Sequence, residues 1–347
     1  MTWLPLLLSE SSAALRYLVL RDLLSRDNSD RELLELKELR LEEPIIVDLL
    51  NAQNEDGSWS TSDKLGLQLN NIRNTAKAMI RLGYLGFDKD NPAIKRAADY
   101  LFSQQLEKGA WPRNENGTLE YKHPNHGLIV TTLQTAAPLH ALAYCGYATH
   151  KRSEKAFEWL IENRTEDGTW PTYQSLHGKI VYQVVGYRQM PNSRFGCRTN
   201  STAALLAFAN HPIRKSSDVA KRVLDLLLSR ETRDRYNLGF EVARTIGIES
   251  SHGFLTHHGR FDLALILELC WKIGATLEDT RVKDLVNYIK ESQGSYGIWE
   301  YLPNPKGSKW VTYDILRSLS KLDETGDWIS TQPRTRYKSY PRKPKRF

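Results

Sequence analysis

Gln53-Asn54-Glu55-Asp56-Gly57-Ser58-Trp59 is a polar turn that ends in a tryptophan and lies directly behind the apolar pair Leu49-Leu50. Cousins recur at Gln105-Leu106-Glu107-Lys108-Gly109-Ala110-Trp111, at Arg164-Thr165-Glu166-Asp167-Gly168-Thr169-Trp170 and at Gln293-Gly294-Ser295-Tyr296-Gly297-Ile298-Trp299. The tryptophans stand 52, 59 and then 129 residues apart, and the last interval fits two steps if a copy near 230–240 has lost its Trp. Self-similarity at this period marks a fold built by repeating one supersecondary unit, each copy burying its apolar face against its neighbours.

The segments between the turns read as helices of two kinds. The stretch 91–106 opens on Asn91-Pro92, a cap followed by proline at the first helical position, and sets Ile94, Ala97, Ala98, Leu101 and Phe102 on one stripe. It is amphipathic and so peripheral. Leu263-Ala264-Leu265-Ile266-Leu267-Glu268-Leu269-Cys270-Trp271 is apolar almost all round and so buried on both sides. Alternation of the two kinds is what two concentric layers of helices require. The expected outer helices lie near 31–53, with a break at Pro44, and near 91–106, 151–163, 216–230 and 279–292; six inner helices alternate with them. Asn71, Gln134, Asp262 and Asp314 each stand twelve residues before a glycine (Gly83, Gly146, Gly274, Gly326), and Asn200 holds the matching place in a copy without one. Two long connections, 112–130 and 171–198, interrupt the pattern, and loops of that length in a compact array tend to carry function.

The 347 residues carry a formal charge of +7, but 334–347 alone hold seven Lys or Arg and no acid, so the remaining 41 basic residues balance 41 acidic ones. The expected organisation is one closed body over 1–330 and a basic tail over 331–347. Such a tail is either a solvated terminus or a contact for phosphate groups or an acidic membrane surface, and a neutral body argues against nucleic-acid recognition. Cys145, Cys197 and Cys270 are odd in number and far apart, which points away from a disulfide framework and towards a reducing cytoplasm. The start has no basic residue before its apolar run and no later stretch approaches eighteen apolar residues, so neither a signal peptide nor a spanning helix is expected.

Gln followed by a few polar residues and Gly-x-Trp, on alternating inner and outer helices, resembles the repeats of the squalene cyclase and protein prenyltransferase superfamily, over residues 10–325. The resemblance implies an all-α fold, an (α/α)6 toroid whose inner helices line a central cavity, with the Gln and Trp side chains tying helix ends together. It also carries catalytic signatures, and from these the sequence departs. Squalene-hopene-like cyclases protonate an alkene with an Asp-x-Asp-Asp acid, and this chain has no adjacent Asp-Asp pair. The same absence removes the Asp-Asp-x-x-Asp arrangement that holds magnesium against a diphosphate. Prenyltransferases hold zinc with Asp-x-Cys and a His. Here Cys197 and His257 or His258 stand at matching places, but Phe195 replaces the Asp. Either Cys197 and His257 bind zinc, with a carboxylate such as Asp262 completing the set, or they are a buried thiol and a hydrogen-bonding His pair. The prenyltransferase side of the resemblance also implies a second subunit.

If the inner helices begin at one end of a barrel, the residues gathered there are candidates for chemistry. Arg73, Arg198 and Arg260 would offer guanidinium groups to an anionic head, or else pair with Asp262 and Asp314 to tie helix ends. Gln134, Asn200 and Trp310 would contact the ligand beside them. His258 and Asp262, four residues apart, and Asp314 are the candidates for acid and base work. His140, inside an apolar helix, reads as a core histidine. Three functions remain open: an isoprenoid-handling protein that is a transferase or cyclase if it is an enzyme, with an apolar ligand in the cavity; a carbohydrate-active toroid; and a non-catalytic binding module. Zinc is the one cofactor the residues suggest.

Overall fold

The computed structural model describes residues 3–67, 69–112, 121–123, 127–175, 180–181, 188–230, 237–249, 261–326, 328 and 330. The basic tail therefore lies outside the described residues. The chain opens with α1 (Trp3–Leu8) and α2 (Ala13–Leu18), which runs on as a π-helical turn, Val19–Leu23. Next come α3 (Arg31–Leu39) and α4 (Pro44–Asn51), separated at Pro44 because proline lacks the N–H that would continue the ladder. The pairs α5 (Asn71–Tyr84) and α6 (Pro92–Ser103), then α7 (Thr132–Leu142) and α8 (Lys151–Glu162), then α9 (Arg198–Ala209) and α10 (Asp218–Leu228) follow. A short α11 (Phe240–Thr245) precedes α12 (Leu263–Ile273), α13 (Thr280–Glu291) and α14 (Ser308–Lys321).

The inner ring is α2, α5, α7, α9, α12 and α14. In α9 every residue is buried, as the reading of a helix enclosed on both sides demands. Helices α6, α8, α10 and α13 form the outer layer with α3 and α4, and they bury one stripe each. The ring closes where α14 meets the end of α2: the Tyr313 hydroxyl donates to the Asp22 carboxylate. Tyr84 of α5 packs its ring 6.2 Å from Trp310 and edge-on to Tyr313 at 6.3 Å, covering the same seam. Arg40 joins α2 to the end of α5, donating to the Leu85 carbonyl and lying over the Tyr17 and Phe87 rings at 4.3 and 4.4 Å.

Each Gly-x-Trp turn makes the same bonds. The indole N–H donates to a carbonyl ten residues back, in the last turn of the preceding outer helix: Trp59 to Leu49 (2.7 Å), Trp111 to Leu101 (2.7 Å), Trp170 to Leu160 (2.8 Å) and Trp299 to Ile289 (2.6 Å). Its backbone N–H donates to a hydroxyl on the next inner helix, on Thr75, Thr135, Ser201 and Thr312 in turn. Where Gln is present its amide donates back to the glycine carbonyl, and in two copies also to the next outer helix: Gln53 to Ala93 (2.9 Å) and Gln105 to Arg152 (2.9 Å). The carbonyls that accept the indole N–H groups are among the last four of their helices, which the helix ladder itself leaves unpaired. In the third copy, where Arg164 replaces Gln, the Thr165 hydroxyl donates to Asp167 and to the Thr169 carbonyl instead.

The copy expected at 230–240 forms no such staple among its described residues. Gly239, at φ +81°, leads into α11, which turns inward against α5, α12 and α14. A Cβ on Gly239 would come within 2.3 Å of Val311, so the approach of α11 to α14 depends on glycine. The two long connections meet in a small antiparallel sheet, β1 (Tyr121–His123), β2 (Gly127–Val130), β3 (Tyr173–Ser175) and β4 (Ile180–Val181), paired in that order. This sheet is an addition to the toroid that the helical period could not announce. It lies at the end of the ring where α7 begins, since Val130 immediately precedes the Thr131 cap of that helix.

The turn glycines separate conformational need from close approach. Gly57 has φ +89° and a Cβ there would stand 2.3 Å from the Arg96 carbonyl oxygen, whereas Gly274, at φ +98°, has nothing within 4 Å. Gly274→Ala is expected to cost roughly 1–2 kcal/mol for the left-handed backbone alone. Gly57→Ala should add roughly 1–3 kcal/mol more for displacing α6. Equal losses in urea denaturation of the two variants would refute the staple as a point of contact between layers.

Candidate functional site

The inner helices enclose a central cavity of about 1080 Å³, including the open space at its mouth. Apolar side chains form much of its wall: Leu69, Ala76 and Ile80 from α5 and the residues before it, Leu133 and Ala137 from α7, Ala203 and Leu206 from α9, and Leu265 from α12. Val242 of α11 faces the same space. Polar groups enter at two places. One is the wall of α12 and α14, with Glu268 and Asp314, flanked by Tyr84, His140 and Tyr144. The other is the wall of α5 and α11, with Arg73, Lys77, Glu241 and Arg244.

On the first wall a single guanidinium serves two carboxylates. Arg317 Nη2 lies 2.7 Å from Asp314 Oδ1 and 3.4 Å from Glu268 Oε1, and Lys272 Nζ lies 2.7 Å from Glu268 Oε1. The two acids are too near one another in a dry place to ionise independently. Burial works against charge on Glu268, but Lys272 and Arg317 outweigh it and hold that carboxyl well below the usual range. Asp314 is pushed the other way, up to about 7, chiefly by burial and further by Glu268, with Arg317 opposing. Its Oδ2 has no hydrogen-bond partner among the described residues, and neither has the Tyr84 hydroxyl. Asp314 is thus a carboxyl that burial keeps partly protonated near neutral pH, beside an ionised Glu268, and its Oδ2 makes no hydrogen bond among the described residues.

Asp262 is also fully buried, and burial pushes its carboxyl up to about 7, but both its oxygens are engaged. Oδ1 accepts from the Gly239 and Ala264 backbone N–H groups at 2.9 and 3.0 Å, and Oδ2 from the Glu241 N–H at 2.7 Å. It caps α12 and fastens α11 to it.

The other sequence candidates divide in the same way. Arg73 lines the cavity. Trp310 lies behind Tyr84 in the ring seam. Gln134 closes a capping box with Thr131 at the start of α7. Asn200 accepts from the Leu133 N–H at 2.9 Å, joining the starts of α9 and α7. Arg198 is buried at the first turn of α9 and is not among the residues lining the cavity. Cys197 caps α9, buried, with Asn200 Nδ2 3.5 Å from its sulfur. His257, His258 and Arg260 lie outside the described residues. Among the described residues no three His, Cys, Asp or Glu side chains converge as a metal site would need. No helix among them is long and apolar enough to cross a membrane, and the three cysteines are free and buried.

Of the four residues twelve before a glycine, Asn71, Gln134 and Asp262 stand at helix starts, as does Asn200 at the matching place. Asp314 instead stands in the middle of α14, a depth at which a side chain faces the chamber rather than its rim. Sequence reading passed over Lys77, His140 as a wall residue, Glu241, Arg244 and Glu268. The signal available was charge on an inner helix: Glu268-Lys272 at i, i+4 inside an otherwise apolar run, and Arg73, Lys77 and Arg81 at successive fourth positions.

Residues 36–182 match the family model described as the squalene-hopene cyclase C-terminal domain. A squalene-hopene cyclase of Zymomonas mobilis subsp. mobilis is 33% identical over 123 residues, which is 35% of this chain and 18% of that protein. The matched stretch thus spans less than a fifth of that relative. Among solved structures, the type II terpene cyclase MstE from Scytonema covers 80% of this chain and 96% of its own at 14% identity, with a TM-score of 0.35. A novel alpha-amylase from Clostridium perfringens covers 90% and 86% at 12% identity, with a TM-score of 0.44. Neither likeness bears on chemistry. Residues 36–182 are thus similar to the squalene-hopene cyclase C-terminal domain, and the Gly-x-Trp staples and the double ring of helices run on beyond that stretch.

Proposed function

We propose that the chain binds an apolar isoprenoid in the central cavity and protonates it from Asp314, as a cyclase of the type II kind. The observation that carries this reading is the Oδ2 of a buried, partly protonated Asp314 in the cavity wall, which makes no hydrogen bond among the described residues. An isolated alkene is a weak base, and transfer of a proton to it leaves a carbocation on carbon. A donor competent for that must be neutral in the resting state, close to a water-poor pocket, and paired with groups that accept its negative charge afterwards. Glu268, held ionised by Lys272 and Arg317, keeps the proton on Asp314 beforehand. Arg317 Nη2 at 2.7 Å then receives the new carboxylate. Tyr84 and Tyr144 line the chamber beside it, and their electron-rich rings would help to stabilise the carbocation. Loss of a proton from the cyclised cation to Glu268 or to water completes the balance, and reprotonation of Asp314 resets the site. The departure from Asp-x-Asp-Asp is then a change in where the second carboxyl comes from: a neighbouring helix supplies it. The squalene-hopene cyclases that match part of the sequence agree with a polyprene as the substrate class.

Two carboxylates that share one guanidinium also suit sugar chemistry, in which the spacing of the pair sets the stereochemical course. The apolar part of the wall favours a hydrocarbon chain. Its leucines, alanines and isoleucine offer few partners to sugar hydroxyls.

Incubation of the purified chain with squalene and with geranylgeraniol, followed by gas chromatography and mass spectrometry, should give cyclic products. Their rate should hold level below a pH of about 7 and fall towards tenfold per pH unit above it, because a raised carboxyl pKa keeps the donor neutral at low pH and loses it as pH rises. Asp314→Asn should lower that rate by roughly 10²–10⁴-fold with an unchanged circular dichroism spectrum. No cyclic product from either polyprene, or cleavage of a maltooligosaccharide in its place, would sink the reading. Independently, protein purified from cells should carry a lipid that native mass spectrometry releases and that an Ala203→Trp variant, its chamber filled, no longer retains.

A further inference from the structure

Lys77 sets a primary amine in the wall of the central cavity. It stands in the middle of α5 and lines that space together with Ala76 and Ile80 of its own helix and Val242 of α11. A tight turn fixes its tip. The Ser62 N–H donates to the Leu67 carbonyl at 2.7 Å and the Leu67 N–H to the Ser62 carbonyl at 2.8 Å, and within the loop they close the Gly66 N–H donates to the Asp63 carbonyl at 3.0 Å. The Gly66 carbonyl held by this turn accepts from Lys77 Nζ at 2.6 Å. That bond takes up an N–H and not the nitrogen lone pair.

Charged neighbours act on the amine from two elements: Arg81 on its own helix, and Arg244 and Glu241 on α11. Arg73, one turn before it, lines the same wall. Arg81 Nε donates to the Thr245 carbonyl at 2.6 Å and its Nη1 to the Leu65 carbonyl at 3.2 Å, so one guanidinium ties α11 and the turn to α5. Glu241 is engaged by Arg244, whose Nε lies 2.9 Å from its Oε2. Burial, with Arg244 and Arg81 adding to it and Glu241 opposing, pushes Lys77 down to about 7. A lysine desolvated in an apolar pocket and set near other cations is activated as a nucleophile towards carbonyl carbon. At neutral pH about half of such amines carry the lone pair the reaction needs, against roughly one in 10³ for an ordinary lysine.

We propose that Lys77 captures an apolar aldehyde in the central cavity as an imine. The Nζ lone pair attacks the carbonyl carbon, the π pair moves to oxygen, and a carbinolamine forms. Its oxygen then leaves with both amine hydrogens as one water, and the C=N bond takes its place. The step is redox-neutral and consumes no co-reactant. The apolar side chains of the cavity hold the hydrocarbon part of the aldehyde and disfavour small polar ones. Asp314 takes no part, so this chemistry is independent of alkene protonation.

Incubation of the purified full chain at pH 7 with citronellal, an unconjugated isoprenoid aldehyde, and sodium cyanoborohydride, which reduces imines to stable secondary amines, tests this. Peptide mapping by mass spectrometry should find Lys77 labelled about tenfold or more ahead of any other lysine. With glycolaldehyde, small and polar, that lead should shrink by about tenfold. Lys77→Arg, in a variant whose circular dichroism matches wild type, should lose the leading adduct and leave the slow labelling of the other lysines unchanged. Wild-type protein that is labelled evenly over its lysines, labelled first at another one, or not labelled at all overturns the proposal, whether or not the variant folds. An equal lead for Lys77 with both aldehydes overturns the apolar ligand class and with it the proposal.

Discussion

The indole N–H of each repeat tryptophan, donated to a carbonyl in the last turn of an outer helix, is the interaction on which the rest of the architecture depends. That carbonyl would otherwise be left over at a helix end, and the bond that satisfies it drives a large fully buried ring between three helices at once. The backbone N–H of the same residue reaches a hydroxyl on the following inner helix, so one residue sets the spacing of both layers. Four such staples leave the ring little freedom to change diameter. The chamber at its centre is consequently a property of the scaffold, and side chains can be placed in its wall without each having to contribute to holding it open.

That division explains what could be read in the sequence. The staples are local: seven residues with a fixed order of glutamine, glycine and tryptophan, repeated, and each requirement is visible in the letters. The alternation of amphipathic and fully apolar helices followed from the same text, and the outer helices fall within a few residues of the expected spans. The wall of the chamber is not local. Asp314 meets Glu268 because α14 lies beside α12, and Lys77 meets Arg244 because α11 folds inward; no spacing along the chain encodes either encounter. Reasoning from helix starts found Asp314 and Arg73 and also collected Gln134, Asn200 and Asp262, polar residues at inner-helix starts that serve as caps and ties. Polarity at a helix start signals capping as readily as chemistry. Charge in the middle of an inner helix is the more discriminating sign, because such a helix has no solvent on either side.

The two polar walls also differ in how they are balanced. Around Arg317, acids and bases are matched, and the consequence is a redistribution of one proton towards Asp314. Along α5 and α11, burial first, with Arg244 and Arg81 adding to it, depresses Lys77.

The fifth copy of the turn has given up its tryptophan, and the chain there dips inward as α11. Release from stapling is what lets a short segment reach the interior of an otherwise rigid ring. Val242 and Arg244 on that segment border the chamber, and it is held there through its backbone by Asp262 and Arg81. A closed repeat architecture acquires in this way one adjustable face: retuning what the interior accepts becomes a matter of six residues, insulated from the joints that keep the ring closed.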